Sequence, residues 1–318
     1  MVSVSVWIVH GAFRAGGPPP IVPIWAHALA IAFVGVEVCS RAIKIQWGAR
    51  AVDVKLSFWT SLRTCLGGDL ASSLTPSRTG AEPARFLVLA ESRMPAANIL
   101  LVLFIELLME LTTLVVVALG LWVIFHGTAT VLGFLTTIIA GYAAFVLAVG
   151  MAGLLMAQRS ASGPPPEWVR SVGLNAGHWR SIQRASRHMR ESVAALRRAN
   201  PRWLLAAFGA SLMHVLSRLA ILPVIVWSVS RAAPLAGLVL WPLVLIYGGS
   251  IAPAPGGGGA VEFGFKKAFD GTLAPPVLAA SLVWWRFYTL YLYILLGALA
   301  GGTTVLRALR PEARGNDS

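Results

Sequence analysis

Glu106 and Glu110 sit four residues apart in "NILLVLFIELLMELTTLVVV", a run with no other charge. On a helix that spacing puts both carboxylates on one face. Ionisable groups inside an apolar span are expensive unless they are paired or hydrated, so they mark an interior surface. His214 and Arg218 repeat the spacing in "SLMHVLSRLAILPV", and Arg286 follows in "VWWRFYTLYLYILLG". Two kinds of chemistry use such groups. Glu106, Glu110 and His214 are the residue types of acid–base or metal catalysis. Alternatively, all five form a buried charge network on an interior cavity, or a static one that ties helices together. His126, His178 and His188 fall at a turn or in a basic linker, so ligand-like spacing is absent and neither a metal nor a cofactor is expected. Glu37 and Arg41, again four apart, lie near the end of their apolar run and read as a structural pair.

A second group of residues suits anion binding. "IAPAPGGGGAVEF" occupies residues 251 to 263, and "LTPSRTGAEPARF" occupies 74 to 86. Laid over each other, Pro76 meets Pro253 and Gly80 meets Gly257, and each stretch carries an acid soon after, Glu82 and Glu262. Paired Gly/Pro-broken segments in two halves of a membrane protein point to a transporter binding site. A break exposes helix N-terminal N–H groups, which favour phosphate and other anions. Glycine lets a headgroup or another backbone approach closely.

The elements that must hold these residues are helices in a bilayer. Hydrophobic residues make up 57% of the chain and charged residues only 12%, about half the usual share of a soluble domain. Mean hydropathy is +0.72. The apolar runs are Trp25 to Ile45, Ala97 to Phe125, Val131 to Ala157, Trp203 to Val229, Leu235 to Ile251 and Val277 to Leu299. Lipid offers the backbone no hydrogen bonds, so these runs are read as helices. Residues 56 to 92 are too interrupted for a clean span and too apolar for an exposed loop. They fit a re-entrant pair of half-helices.

The fold class is therefore all-α, a polytopic membrane protein with about 6–8 transmembrane helices. It forms a single domain, residues 1–318, of two related halves (about 1–157 and 203–318), each with a broken re-entrant segment. The halves are joined by a basic linker, 158–202, with nine arginines against Glu167 and Glu191, a net +7. Basic loops stay in the cytoplasm. Within the linker, Ile182, Ala185, Met189, Val193 and Leu196 share one helical face, either lying on the inner leaflet or solvated between the halves. No nucleic-acid motif accompanies the charge. "MVSVSVWIVHGAF" is too short to span and reads as a candidate remnant of a first helix. Arg307, Arg310 and Arg314 favour the linker's side for the C-terminus, which requires residues 253 to 275 to add a crossing. Cys39 and Cys65 make neither a metal-ligand set nor a disulfide framework. The aromatic cluster Trp284, Trp285, Phe287, Tyr288, Tyr291 and Tyr293 reads as an interface anchor.

"PAPGGGGAVE" resembles the Pro-x-Pro-Gly-Gly-x-Gly-x-x-Glu signature of the lysylphosphatidylglycerol synthase transmembrane, or flippase-like, family. Pro253, Pro255, Gly256, Gly257, Gly259 and Glu262 match it. "LTPSRTGAEPAR" is similar to the family's first motif at Pro76, Arg78, Gly80, Glu82 and Arg85. "IELLMEL" resembles its Glu-Arg-x-x-Asp helix, with Glu106 matching, Leu107 in place of the arginine and Glu110 in place of the aspartate. "WWRFYTLYLYILLG" is similar to the closing helix at Arg286 and Gly297. The resemblance implies a multi-pass inner-membrane protein that moves or modifies lipids, without the fused soluble synthase domain of the best-known members. The expected function is translocation of a lipid or polyprenyl-linked headgroup, with Pro76 to Arg85 and Pro253 to Glu262 lining the path. Arg78 and Arg85 would attract an anionic headgroup, while Glu82 and Glu262 would pair with arginines or accept protons. The alternatives are a non-transporting scaffold for a lipid-modifying enzyme and a membrane-embedded enzyme.

Overall fold

The computed structural model describes residues 10–11, 17–125, 129–158, 176–249, 252 and 254–309. Pro253, the start of the linker with Arg159 and Arg170, the N-terminal candidate helix apart from His10 and Gly11, His126, and the tail with Arg310 and Arg314 lie outside these residues. All the regular structure among the described residues is helical, with no strand among them.

The helices are α1 (Ile24–Ala51), α2 (Phe58–Leu74), α3 (Ala81–Ala90), α4 (Ala96–Phe125), α5 (Ala129–Gln158) and α6 (Ala176–Arg197) in the first part. They continue with α7 (Pro201–Val229), α8 (Leu235–Gly248), α9 (Ala260–Phe269), α10 (Pro275–Arg286) and α11 (Leu292–Leu309). Single 3₁₀ turns, Pro76–Arg78 and Pro255–Gly257, join α2 to α3 and α8 to α9, and a π turn, Phe287–Tyr291, joins α10 to α11. Local sequence explains the boundaries. Ser57 caps α2 by accepting the Thr60 N–H, and Asn200 caps α7 by accepting that of Arg202, with Pro201 at the first helical position.

Four stretches are long and apolar enough to cross a membrane: Ala96–Phe125, Gly133–Leu155, Pro201–Val229 and Pro275–Ala300. Helix α1 matches them in length, but Glu37, Arg41 and Lys44 interrupt its apolarity and are at most 5% exposed. From Glu37 onward it is mostly an inner helix, while Ile24, Trp25 and Ile31 in its first half are exposed. Helix α8, with 14 residues, is about 21 Å long and stops short of a bilayer core of about 30 Å.

The first half and the second half repeat the same order. Helices α1 and α2 begin 177 residues before their equivalents α7 and α8, and α3 and α4 begin 179 residues before α9 and the α10–α11 pair. Helices α1 and α7 lie side by side and antiparallel. The Asn200 N–H donates to the Ala51 carbonyl at 2.8 Å, and Trp47 meets Trp203 with centroids 6.2 Å apart. At the far end Val22, Ala26 and Ala30 share a core with Ile225 and Val226. The two halves are therefore inverted relative to each other, a recurrent transporter architecture.

Both broken segments are re-entrant hairpins. Asp69 and Ser72 of α2 and Val261 of α9 line one cleft, and the two 3₁₀ turns touch tip to tip. The hairpins enter from opposite ends. This corrects the expectation for residues 253–275, which supply no extra crossing. Helix α11 nevertheless runs toward the linker's side, because α8 turns back halfway and only α7 and α10–α11 traverse the second half. The Arg63 Nε–H donates to the Ala300 carbonyl at 3.2 Å, fixing α11 beside the start of α2.

Helix α6 packs its apolar face on α4 and α5. Ala195 and Leu196 join Leu101 and Ile105 in one cluster, while Arg187, Arg190 and Arg197 are exposed. Met189, Val193 and Leu196 on that face are half-buried. Trp285, Tyr288 and Tyr293 are at most 3% exposed, and Trp285 stacks on Phe265, so these aromatics are core and do not form a belt.

Candidate functional site

The site grows from the two turns. In the first, Thr75 ties the end of α2 to the start of α3: its hydroxyl donates to the Ala71 carbonyl and accepts the Gly80 N–H, both at 2.8 Å. Ser77 and Arg78 then adopt left-handed backbone, φ 49° and 57°. That conformation costs an L-residue about 1–2 kcal/mol. In the second turn the same two positions are Gly256 and Gly257, φ 59° and 69°, where the cost vanishes, and Gly259 is at φ 86°. A Cβ on Gly257 would lie 2.8 Å from the Gly249 carbonyl oxygen. The close approach that the glycines permit is therefore to the end of α8. The equivalence also shifts the sequence overlay by two residues. Pro76 corresponds to Pro255 and Gly80 to Gly259, because the turn starts at the second proline of "PAP".

The tips are joined by a Ser77 hydroxyl bond to the Ala252 carbonyl, 3.3 Å. On one side of the joined tips is a cavity of about 630 Å³. Its polar wall comes from every neighbouring element: Arg78, Glu82 and Arg85 from the first hairpin, Glu106 and Glu110 from α4, Tyr142 from α5, His214 and Arg218 from α7 and Tyr247 from α8. On the other side is a cleft of about 50 Å³ lined by Asp69, Ser72, Gly256, Arg286 and Thr289. Arg78 and Arg218 line both.

Charges on the large cavity are densely paired. Arg85 contacts Glu106 at 2.6 Å and Glu82 at 3.0 Å. Lys44 lies between Glu106 (3.1 Å) and Glu110 (2.5 Å). Glu110 also accepts the Tyr247 hydroxyl at 2.8 Å and faces His214 Nε2 at 3.6 Å. Lys44 supplies the cation that Leu107 does not. Deeper in, Arg41 holds Asp69 through two bonds, 2.7 and 2.9 Å, and lies 3.5 Å from Glu37. Glu37 accepts the Tyr293 hydroxyl at 2.6 Å and stands 3.6 Å from Arg218. Arg218 also donates to the Thr289 carbonyl within the π turn, 3.2 Å. Bidentate arginine–carboxylate pairs of this kind hold direction as well as charge.

Arg78 is the exception. Among the described residues it makes no ion pair and its side chain makes no hydrogen bond, although it stands at the junction of both cavities. A cation left unpaired in a buried wall, on backbone held at a cost, is a binding-site signature.

The structure brings together Arg78, Glu82, Arg85, Glu106, Glu110, His214 and Arg218. It separates Arg286, which stands 2.8 Å from Glu262 on the small-cleft side and donates to the Gly256 carbonyl. The five expected network residues thus divide between two networks, since α4 and α10 lie on opposite sides of the turns. Glu262, fully buried, accepts the Gly259 N–H at 2.7 Å and fastens the start of α9. Pro76, Gly80, Pro255, Gly257, Gly259 and Glu262 line neither cavity and act by shaping the turns.

Glu37 and Arg41 are central, because α1 runs six residues past its apolar stretch. Sequence reasoning missed Lys44, Asp69, Tyr247 and Tyr293. Lys44 had a signal, as it falls three residues after Arg41 and seven after Glu37 on the same face. The tyrosines had none.

No curated protein matches the chain. The model for the lysylphosphatidylglycerol synthase TM region matches residues 12–297. With that match spanning both hairpins and the cavity between them, the chain belongs to the lysylphosphatidylglycerol synthase transmembrane-region family.

Proposed function

We propose that the protein translocates a lipid, or a polyprenyl-linked group, with an anionic headgroup across its membrane, the headgroup passing through the cavity at the hairpin tips. Family membership makes it a multi-pass membrane protein of lipid metabolism or transport. The single observation that carries the finer reading is Arg78. A cation without a carboxylate partner projects from a left-handed backbone position into a cavity of about 630 Å³ whose other charges are neutralised. An anionic headgroup would be its missing partner. The inverted halves supply a second feature that transport needs, a polar site near mid-depth with related walls on both sides. We place this activity in the inner membrane with α6 on the cytoplasmic side, following the basic-loop rule.

The test is reconstitution. Purified protein in liposomes should accelerate transbilayer movement of fluorescent phosphatidylglycerol, read as dithionite-accessible signal, and Arg78→Gln should lower the rate at least tenfold. Absence of movement for anionic lipids and polyprenyl phosphates alike would leave the non-transporting scaffold as the better reading.

A further inference from the structure

At the end of the bundle away from α6, the last turns of α4 and α7 diverge around the start of α8. They enclose a cleft of about 430 Å³ that includes Trp25 of α1. That volume falls in the range of about 300–1,000 Å³ for small-ligand clefts. Its walls are apolar, with Leu121 and Phe125 from α4, Leu216 and Ala220 from α7 and Val239 from α8. Trp227 forms a fixed side: its indole N–H donates to the Ala233 carbonyl at 3.0 Å, pinning the ring to the α7–α8 turn. Arg231 stands in that same turn, exposed, on the rim of the cleft. It makes no ion pair and no side-chain hydrogen bond among the described residues.

This cleft is separate from the headgroup cavity. Along α4 the cavity wall ends at Leu114 and the cleft begins at Leu121, about 10 Å further on. Val117, Ala118, Val215, Leu243 and Val244 form a packed layer between them.

We infer that the cleft is a binding site for one anionic phospholipid of the surrounding bilayer, with an acyl chain between α4 and α7 and the phosphate on Arg231. The argument is complementarity. An apolar slot at a bundle end, closed by a fixed indole and rimmed by one unpaired guanidinium, matches a molecule with an apolar tail and a negative head. A soluble anion would leave the slot unused, and a zwitterionic lipid would set its own ammonium against the arginine. The inference does not depend on translocation.

Native mass spectrometry of detergent-purified protein, loaded with equal dioleoyl phosphatidylglycerol and dioleoyl phosphatidylcholine, tests it. The wild-type protein should retain one phosphatidylglycerol with a roughly fivefold preference, the scale of one arginine beside an anionic headgroup. Arg231→Gln, a surface change that leaves packing untouched, should retain both lipids equally. Ala220→Trp should fill the slot and lose both, in a protein that stays monodisperse. Equal retention by wild type, or an unchanged preference in Arg231→Gln, would overturn the site. Those outcomes leave the liposome result at Arg78 unaffected.

Discussion

The two hairpins share the backbone of their first turn residues and differ in side chains. Each turns through a 3₁₀ element with two consecutive left-handed residues, and each starts a ten-residue helix at an alanine. The second uses Gly256 and Gly257, for which that backbone is free. The first uses Ser77 and Arg78, for which it is costly. If only the turn mattered, glycine would serve in both places. The difference shows that the first turn has to present side chains: Ser77 to hold the opposite tip, Arg78 to face the cavity. The second turn has to be thin, because the Gly249 carbonyl lies against Gly257. The cavities differ accordingly, about 630 Å³ beside the first hairpin's charged helix and about 50 Å³ beside the second's.

The largest effect is expected where the first half depends on one cation. Lys44→Met leaves Glu106 to Arg85 and leaves Glu110 with no lysine or arginine partner among the described residues, and should cost about 3–5 kcal/mol, the scale of breaking a buried pair. Thermal unfolding of detergent-purified protein would register it, and adding Glu110→Gln should recover part of the loss. No recovery would mean that Lys44 acts by packing.

Next is Gly257→Ala. Its methyl would meet the Gly249 carbonyl and the Val261 side chain at a positive φ. We expect a loss of about 1–3 kcal/mol and abolished lipid movement, in protein that still inserts and elutes as a single species. Wild-type activity would return this stretch to an ordinary loop.

Arg78→Gly sharpens the contrast by making the first turn resemble the second. Removing left-handed strain should raise stability by about 1 kcal/mol while lipid movement falls at least tenfold. A variant that is both stabilised and inactive separates function from folding. One that is stabilised and fully active would remove Arg78 from the mechanism.

The smallest effect belongs to Gly209→Ala on α7, where a methyl meets nothing within 4 Å. Activity should be unchanged, and stability should stay level or rise by up to about 1 kcal/mol.

Helices and hairpins were legible because the bilayer forces regular structure on any long apolar run, and because Gly/Pro breaks interrupt it visibly. The pairing of charges was not. Glu37, Asp69, Lys44 and Glu106 lie on α1, α2 and α4, and nothing local in any of these segments announces which carboxylate meets which cation. Reading Glu37 and Arg41 as a pair near a span end followed from measuring α1 by apolarity. The helix continues to Ala51 because its polar face is buried against α7 and α4. The two-residue slip in the hairpin overlay has a similar cause. A proline at either position of "PAP" satisfies the pattern, and only the backbone angles select Pro255.

Helix α5 has the plainest consequence. Only 11% of its apolar window is buried, against 44–56% for the other three spans, and the described part of the second half holds no counterpart to it. Its presence is a matter of parity. The repeat formed by α1 to α4 begins and finishes at the same end of the bundle, since its hairpin returns to the end it entered. A second copy joined directly would begin at that end too and would point the same way as the first. Inversion within one chain therefore requires an odd number of additional traverses between the copies. Helix α5 is that traverse, and α6 leads from its end to the start of α7. Two identical chains inserted in opposite directions would need no such helix. The fused arrangement does, and α5 is what allows one polypeptide to contain both orientations.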